Sequence, residues 1–406
     1  MKKTARKPKK WIKKRHTLVK KLLHLFLAPY TRIKYGLRAE KLKEGKKRQY
    51  LVLYNHQTAF DQFFVGLVFK KHLYYVASED IFSNGFTSKL IKYLVNPIPI
   101  KKQSTDVRAI MTCIKVAKEG GSIAIAPEGN RTYSGKTEYM NPSIASLARK
   151  LMLPIAFVRI EGGYGTHPRW SDVVRKGQTS CRVSRIMEPE EYSSMQDSEL
   201  AEIINKELYV NEANTENEYY HKKSAEYLER AIYVCPRCGL SVFHSENDKI
   251  TCKKCGLAAK YTSRKELVSE DADFPFHFVS DWYDYQKNFI LGLDLTPYYE
   301  MPIYQDEAML SEVVPYEKKS IIYESSHISL YANRVVAVCG ENTEEFLFDE
   351  ASSFAVLGKN KLNIYVGKRI FQIKGDCRFN ALKYVNIFYR YMQIKKGDNN
   401  GKFLGL

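Results

Sequence analysis

Residues 51–61 read LVLYNHQTAFD. The first four, Leu51, Val52, Leu53 and Tyr54, form a short apolar run of the kind that makes a buried strand. Asn55 and His56 stand where that run stops. Residues 58–69 then carry Phe60, Phe63, Phe64, Leu67 and Val68 at helical spacing, so a strand, a turn and a helix are expected in succession. On one continuous helix, His56 and Asp61 would point about 140° apart. With His56 on the turn and Asp61 in the first helical turns they meet. The carboxylate then holds one imidazole nitrogen and the other serves as a base. The plainer alternative is a polar turn residue followed by an early-helix carboxylate favoured by the helix dipole.

The same alternation continues downstream. Apolar runs at 74–77, 98–100, 122–126 and 153–160 read as strands, and 86–94, 106–118 and 142–151 as helices. The expected fold class is therefore α/β, a layer of largely parallel strands with helices packed on it. Ligands in such sheets gather beyond the strand ends. His56, Lys101, Lys102, Glu128 and Arg131 all fall just past an expected strand. In the turn Pro127-Glu128-Gly129-Asn130-Arg131, Gly129 permits close backbone approach to a ligand and Arg131 suits a bidentate grip on phosphate. Glu128 is placed to orient Arg131 or to bond a substrate hydroxyl. A surface turn with an ion pair is the alternative for this segment.

NHQTAFD at 55–61 and PEGNR at 127–131 resemble the two signature blocks of the glycerolipid acyltransferases, the lysophosphatidic acid acyltransferase (PlsC-like) family. Two weaker blocks fit in the family's order: Ile98-Pro99-Ile100-Lys101-Lys102, like a strand ending in a basic phosphate contact, and Leu153-Pro154-Ile155, like a late proline block. The resemblance covers about residues 30–210. It implies a glycerol-phosphate-acyltransferase-like α/β layer in which His56 is the general base and Asp61 orients it. The substrate hydroxyl attacks an acyl thioester, on CoA or acyl carrier protein (ACP), without an acyl-enzyme. Asn55, Lys101, Lys102, Glu128, Gly129, Asn130 and Arg131 form the substrate-binding set. The family usually carries Arg where Lys102 stands, and lysine binds phosphate as a point charge without the bidentate fork.

Charge is concentrated at one end. Of a net +19, residues 1–50 hold 19 Lys/Arg against 2 Asp/Glu, and the remainder of the chain is nearly neutral. Over residues 10–28 a helical wheel gathers Lys10, Lys13, Lys14, Thr17, Lys20, Lys21 and His24 on one side. Trp11, Ile12, Leu18, Val19, Leu22, Leu23, Leu25, Phe26 and Leu27 fall on the other, and Pro29 marks the expected end. This matches an interfacial helix on anionic lipid. Helix packing on the core and a nucleic-acid-binding arm are the competing readings. Lysines interrupt the apolar residues well short of the ~20 that a spanning helix needs.

Cys235, Cys238, Cys252 and Cys255 form two C-x-x-C-G knuckles separated by thirteen residues, the spacing of a zinc ribbon with a structural, closed four-thiolate Zn²⁺. Cys113, Cys181, Cys339 and Cys377 read as core residues. An aromatic-rich connector follows, read as packing that docks the ribbon. Short strand-like runs over 318–394 close with a helix at 379–393 and resemble the pleckstrin-homology (PH)-like superfold.

The expected organisation is a membrane-surface helix (1–35), an acyltransferase domain (36–210), a helical linker (211–232), a zinc ribbon (233–262), a connector (263–317) and a PH-like module (318–395). The expected protein is a peripheral enzyme at the cytoplasmic face of a membrane. It acylates a lysophospholipid, with 1-acyl-glycerol-3-phosphate as acceptor and phosphatidate as product. The ribbon or the PH-like module offers a surface for a protein partner. The alternative is a non-catalytic adaptor, bound to membrane or nucleic acid, using the ribbon and C-terminal module.

Overall fold

The run at 51–54 is the central strand of the first sheet. In the computed structural model, which describes residues 10–43, 48–82, 85–100, 106–214, 217–314 and 319–397, the first layer contains α1 (Lys14–Tyr35), β1 (Leu37–Ala39), β2 (Leu51–Tyr54), α2 (Asp61–Val68), β3 (Leu73–Ser78), α3 (Phe86–Leu94), β4 (Ile98–Ile100), α4 (Val107–Lys118) and β5 (Ser122–Ile125). It continues through α5 (Ser143–Leu151), β6 (Ile155–Glu161), α6 (Gly163–Thr166), β7 (Thr179–Met187), α7 (Pro189–Tyr192) and α8 (Asp197–Leu208). The strand order is β1-β7-β6-β2-β5-β3-β4. Leu51 and Leu53 face a core built with α4, α5 and α8, while Val52 and Tyr54 face another with α2 and the end of α1. Burial on both faces is why the run is continuously apolar rather than alternating.

The sheet is largely parallel, as expected, with one exception: β7 runs antiparallel to β6 and pairs in parallel with β1. Three expectations are corrected in this layer. The sequence reading marks no strand at 179–187, where a register shift opposite Phe157 and Val158 breaks the period-two pattern. The helix expected from 58 starts at Asp61, because Gln57 and Thr58 donate their backbone N–H groups to the Asp61 carboxylate instead of joining the helix.

The third correction concerns α1, which starts at Lys14 and runs through Pro29 to Tyr35. Proline removes one backbone hydrogen bond, the one to the Leu25 carbonyl, and the helix continues past it, with the Thr31 hydroxyl donating to the Leu27 and Ala28 carbonyls. The helix ends at Gly36, at φ 57°, where a Cβ would lie 2.0 Å from the Gly177 carbonyl oxygen. Its orientation is inverted relative to a soluble amphipathic helix. His16 and Thr31 are buried, Tyr35 is buried, and Lys20 caps the Phe69 and Lys70 carbonyls. The outward stripe is apolar, with Phe26 74% and Ile33 85% exposed. Trp11 and Ile12, before the helix, pack on the sheet core.

His16 and His72 lie 5.7 Å apart beneath α1, and burial lowers each from 6.5 to about 4. Each is held neutral in the fold, so the unfolded chain takes up the protons first. Stability is full above 6.5 and falls as pH drops from there toward 4. The melting temperature is expected to decline across that window. Replacing both histidines by glutamine is expected to flatten the decline, as read by thermal denaturation at a series of pH values.

The remaining chain builds two further modules. The ribbon holds β8 (Val234–Cys235), β9 (Gly239–Leu240), β10 (Phe243–Glu246), β11 (Lys249–Cys252), β12 (Ala258–Tyr261) and β13 (Leu267–Val268), followed by α9 (Val279–Leu291). Trp282 of α9 donates to the Val234 carbonyl, and Gln286 accepts from the N–H groups of Tyr233 and Val234. The aromatic connector does dock the ribbon. The expected helical linker at 211–232 is instead mostly irregular and buried. Tyr227 adopts φ 73°, which interrupts a helix, and Leu228, Ala231 and Ile232 enter the largest core. Cys113 and Cys181 are core residues as expected, whereas Cys377 is exposed.

The C-terminal module contains β14 (Tyr304–Glu312), β15 (Ser320–Leu330), β16 (Arg334–Cys339), β17 (Asn342–Leu347), β18 (Ala351–Leu357), β19 (Lys361–Val366), β20 (Arg369–Gly375) and α10 (Leu382–Lys396). It begins earlier than expected, at Tyr304, because β14 pairs with both β15 and β20. The order β17-β16-β15-β14-β20-β19-β18 is an antiparallel half-barrel, open between β17 and β18, with Phe388 of α10 stacked on Phe354 at 4.4 Å. A single apolar core joins this module to the ribbon and reaches Tyr133 and Trp170 of the first layer.

Candidate active site

The site forms where β2 and β5 end. His56 Nδ1 lies 2.7 Å from Asp61 Oδ2. Asp61 is fully buried and also accepts from Gln57 N, Thr58 N and the Thr58 hydroxyl. So many donors make the carboxylate a fixed acceptor that keeps the imidazole proton on Nδ1 and makes Nε2 the basic nitrogen. The His56 side chain is 23% exposed, enough to meet a substrate.

The second turn is laced to the first. His56 N donates to Glu128 Oε1 at 2.7 Å, Glu138 N donates to Glu128 Oε2, and Thr132 N donates to the His56 carbonyl. Burial pushes the Glu128 carboxyl up to about 8, opposed by the two backbone N–H bonds. Glu128 therefore supports the His56 loop through both oxygens. Asn55 is also architectural. It is 1% exposed, with its amide spent on the N–H and carbonyl of Ile160. Gly129 is exposed at φ 69°, a conformation other residues rarely adopt, and Asn130 is buried beside it. Lys101 and Lys102 lie outside the described residues.

Arg131 closes the site. Its Nη1 is buried and has no hydrogen-bond partner among the described residues, and burial lowers its pKa to about 10. Arg169 donates to the Arg131 carbonyl and to the Val356 carbonyl of β18, linking the C-terminal module to this turn. His167 Nε2 is likewise buried without a partner among the described residues, and Tyr35 of α1 contacts His167 Nδ1 at 3.4 Å. The sequence reading did not single out His167, Arg169 or Tyr35. The His167-Pro168-Arg169 run just beyond α6 was the available signal.

A separate cluster comprises Cys235, Cys238, Cys252 and Cys255, whose sulfurs all lie within 4.8 Å of one another. The closest pairs, Cys235–Cys255 and Cys238–Cys252, are 3.6 Å apart. A tetrahedral ion with metal–sulfur bonds of ~2.3 Å places its sulfurs ~3.8 Å apart. The four thiols therefore fit one metal ion, with no side left open for a reacting water.

Residues 37–161 match the family model Acyltransferase. This segment contains His56, Asp61, Glu128 and Arg131. It is an acyltransferase-family domain, and the protein is an acyltransferase. No curated protein matches the chain. Among solved structures, the crystal structure of the 1-acyl-sn-glycerophosphate (LPA) acyltransferase PlsC from Thermotoga maritima is similar. The identity is 22%, the match covers 48% of this chain and 78% of that one, and the TM-score is 0.40.

Proposed function

We propose that the protein esterifies the free hydroxyl of a lysophospholipid with an acyl group from a thioester, with lysophosphatidate as acceptor and acyl-CoA or acyl-ACP as donor. The observation that carries this reading is the His56–Asp61 pair hydrogen-bonded, through Thr132 N, to the turn that holds Arg131 and its buried unpartnered Nη1. His56 Nε2 takes the hydroxyl proton as the oxygen attacks the thioester carbonyl. The carbon–sulfur bond then breaks, and the imidazolium returns the proton to the leaving thiolate. Arg131, with His167 close by, binds the acceptor phosphate, because an anion there would satisfy the buried donor. The four-cysteine cluster holds a structural Zn²⁺ remote from this chemistry.

Arg131→Ala tests the acceptor assignment. Removing a charge-assisted hydrogen bond of about 1.5–3 kcal/mol should raise the KM for lysophosphatidate by ~10- to 100-fold. The low activity toward an unphosphorylated monoacylglycerol should be little changed. An equal loss on both acceptors would overturn the phosphate role.

The enzyme works at a membrane surface, at its cytoplasmic face. No helix among the described residues is long and apolar enough to cross a bilayer. The apolar stripe of Leu18, Leu22, Leu25, Phe26 and Ile33 is exposed, and Phe86, Leu90 and Tyr93 of α3 are exposed as well. Arg15 joins the two helices by donating to the Tyr93 carbonyl and stacking on its ring. An apolar face of this kind, rimmed by lysines, suits insertion among lipid headgroups. Burying one such side chain is worth about 1.5–3 kcal/mol. Leu25→Asp with Phe26→Asp should therefore weaken binding to anionic vesicles by ~100-fold or more in a flotation assay.

A further inference from the structure

The ribbon sends one residue beneath the catalytic loop. Lys265 sits in the tight turn between β12 and β13, where Thr262 N donates to the Glu266 carbonyl and Glu266 N to the Thr262 hydroxyl. Its φ is +70°, a conformation disfavoured for a residue with a side chain. The side chain does not reach solvent. It is 2% exposed, passes over the Tyr219 ring and ends 3.6 Å from Glu212 Oε2.

Glu212, also 2% exposed, opens the linker after α8 and is tied to the first layer through its N–H, which donates to the Gly135 carbonyl. Its Oε1 accepts from Gln57 Nε2 at 3.0 Å and from Gly162 N. Gln57 Oε1 in turn accepts from Tyr164 N, and Gln57 N donates to Asp61 Oδ2. A buried ion pair between modules thus holds the side chain of the residue that follows His56. Burying such a pair costs desolvation energy that an apolar contact would not, so it makes a poor staple for stability alone. What it supplies is a fixed place for the Glu212 carboxylate, whose Oε1 holds Gln57 and Gly162 at once.

We infer that Lys265, although it belongs to the ribbon, is a positioning residue for the His56 loop and acts through Glu212 and Gln57. The inference rests on the reading of His56 as the base. Burial raises the Glu212 pKa, and Lys265 opposes that rise. Without the lysine, Glu212 is a buried carboxylate with no countercharge beside it and swings away, and Gln57 loses its anchor. His56 and Asp61 then sample geometries that do not react.

The test compares full-length wild type, Lys265→Met and the double variant Lys265→Met with Glu212→Gln. Two readouts are used: steady-state acyl transfer, and the imidazole resonance of His56 in protein carrying labelled histidine, assigned by its absence from His56→Ala. Loss of loop geometry should lower kcat of the single variant by about tenfold or more, with the acceptor KM within about twofold of wild type. Bound metal, measured by atomic emission, should stay the same, and the His56 resonance should move. In the double variant Glu212→Gln leaves a neutral amide whose oxygen still accepts from Gln57, so kcat and the resonance should return to near wild type. If the single variant fails to fold, Lys265→Met with Glu212→Ala, which removes the acceptor along with both charges, should show the lowered kcat and the moved resonance that the Glu212→Gln double variant lacks, and wild-type behaviour there would overturn the inference.

Wild-type kcat and resonance in Lys265→Met would overturn the inference. A double variant as impaired as the single one would also overturn it, since the effect would not run through Glu212. If wild type transfers no acyl group, the catalytic reading fails by itself. The His56 resonance then decides whether Lys265 sets the geometry of the loop.

Discussion

Replacing His56 by alanine is expected to lower kcat for acyl transfer by ~100-fold or more, the usual contribution of a positioned general base. The KM for the acceptor should change little, because Arg131 and the membrane face are untouched. The fold should survive. The His56 side chain is partly exposed, whereas Asp61 keeps its bonds to Gln57 N, Thr58 N and the Thr58 hydroxyl. Asp61→Asn is a harsher change. Its amide nitrogen would meet backbone N–H donors that now point at a carboxylate, so it should lose both activity and stability. Steady-state kinetics beside thermal melts of the two variants would separate these outcomes. A low kcat at unchanged melting temperature is expected for His56→Ala, and losses in both for Asp61→Asn.

Removing the metal proposed for Cys235, Cys238, Cys252 and Cys255 is the second large effect expected. Structural zinc contributes roughly 10–16 kcal/mol of apparent binding energy to small ribbons at neutral pH. This ribbon has only short strands of its own, and Cys235 and Cys252 are buried in the core it shares with α9, the C-terminal module and Trp170. Loss of the ion should spread through that core and release Lys265 from Glu212. Cys252→Ser, or treatment with a chelator, should lower the unfolding midpoint by ~10 °C or more. Acyl transfer should fall in step. Calorimetry with metal analysis is the check. A metal-free protein with an unchanged midpoint and intact activity would count against a structural ion.

Much of this was readable along the chain, for a physical reason. The strand at 51–54, the turn that follows it and the Asp61 contact are local, as are the PEGNR turn and the two cysteine knuckles. Hydrophobic period and motif spacing report local structure well. The rest depends on contacts distant in sequence. The Asn55 bond to Ile160 spans 105 residues, and Arg169 reaches Val356 across 187. No periodicity marks either one. Nothing in the local sequence marks Lys265, whose burial depends on Tyr219 and Glu212. The wheel for α1 did not show which residues meet the protein: His16 and Lys20 pack inward, on His72 and the Phe69 carbonyl, while Lys14, Thr17 and Lys21 stay exposed.

The central claim is that His56 drives acyl transfer to a phosphorylated lysolipid. The most direct measurement follows labelled acyl thioester and lysophosphatidate in anionic mixed micelles, with the products resolved by mass spectrometry, for wild type beside His56→Ala. The account predicts phosphatidate and one free thiol per turnover from wild type, and ~1% of that rate or less from the variant. Phosphatidate formed by His56→Ala at the wild-type rate, or a wild type that makes none with either CoA or carrier-protein donors, would contradict it.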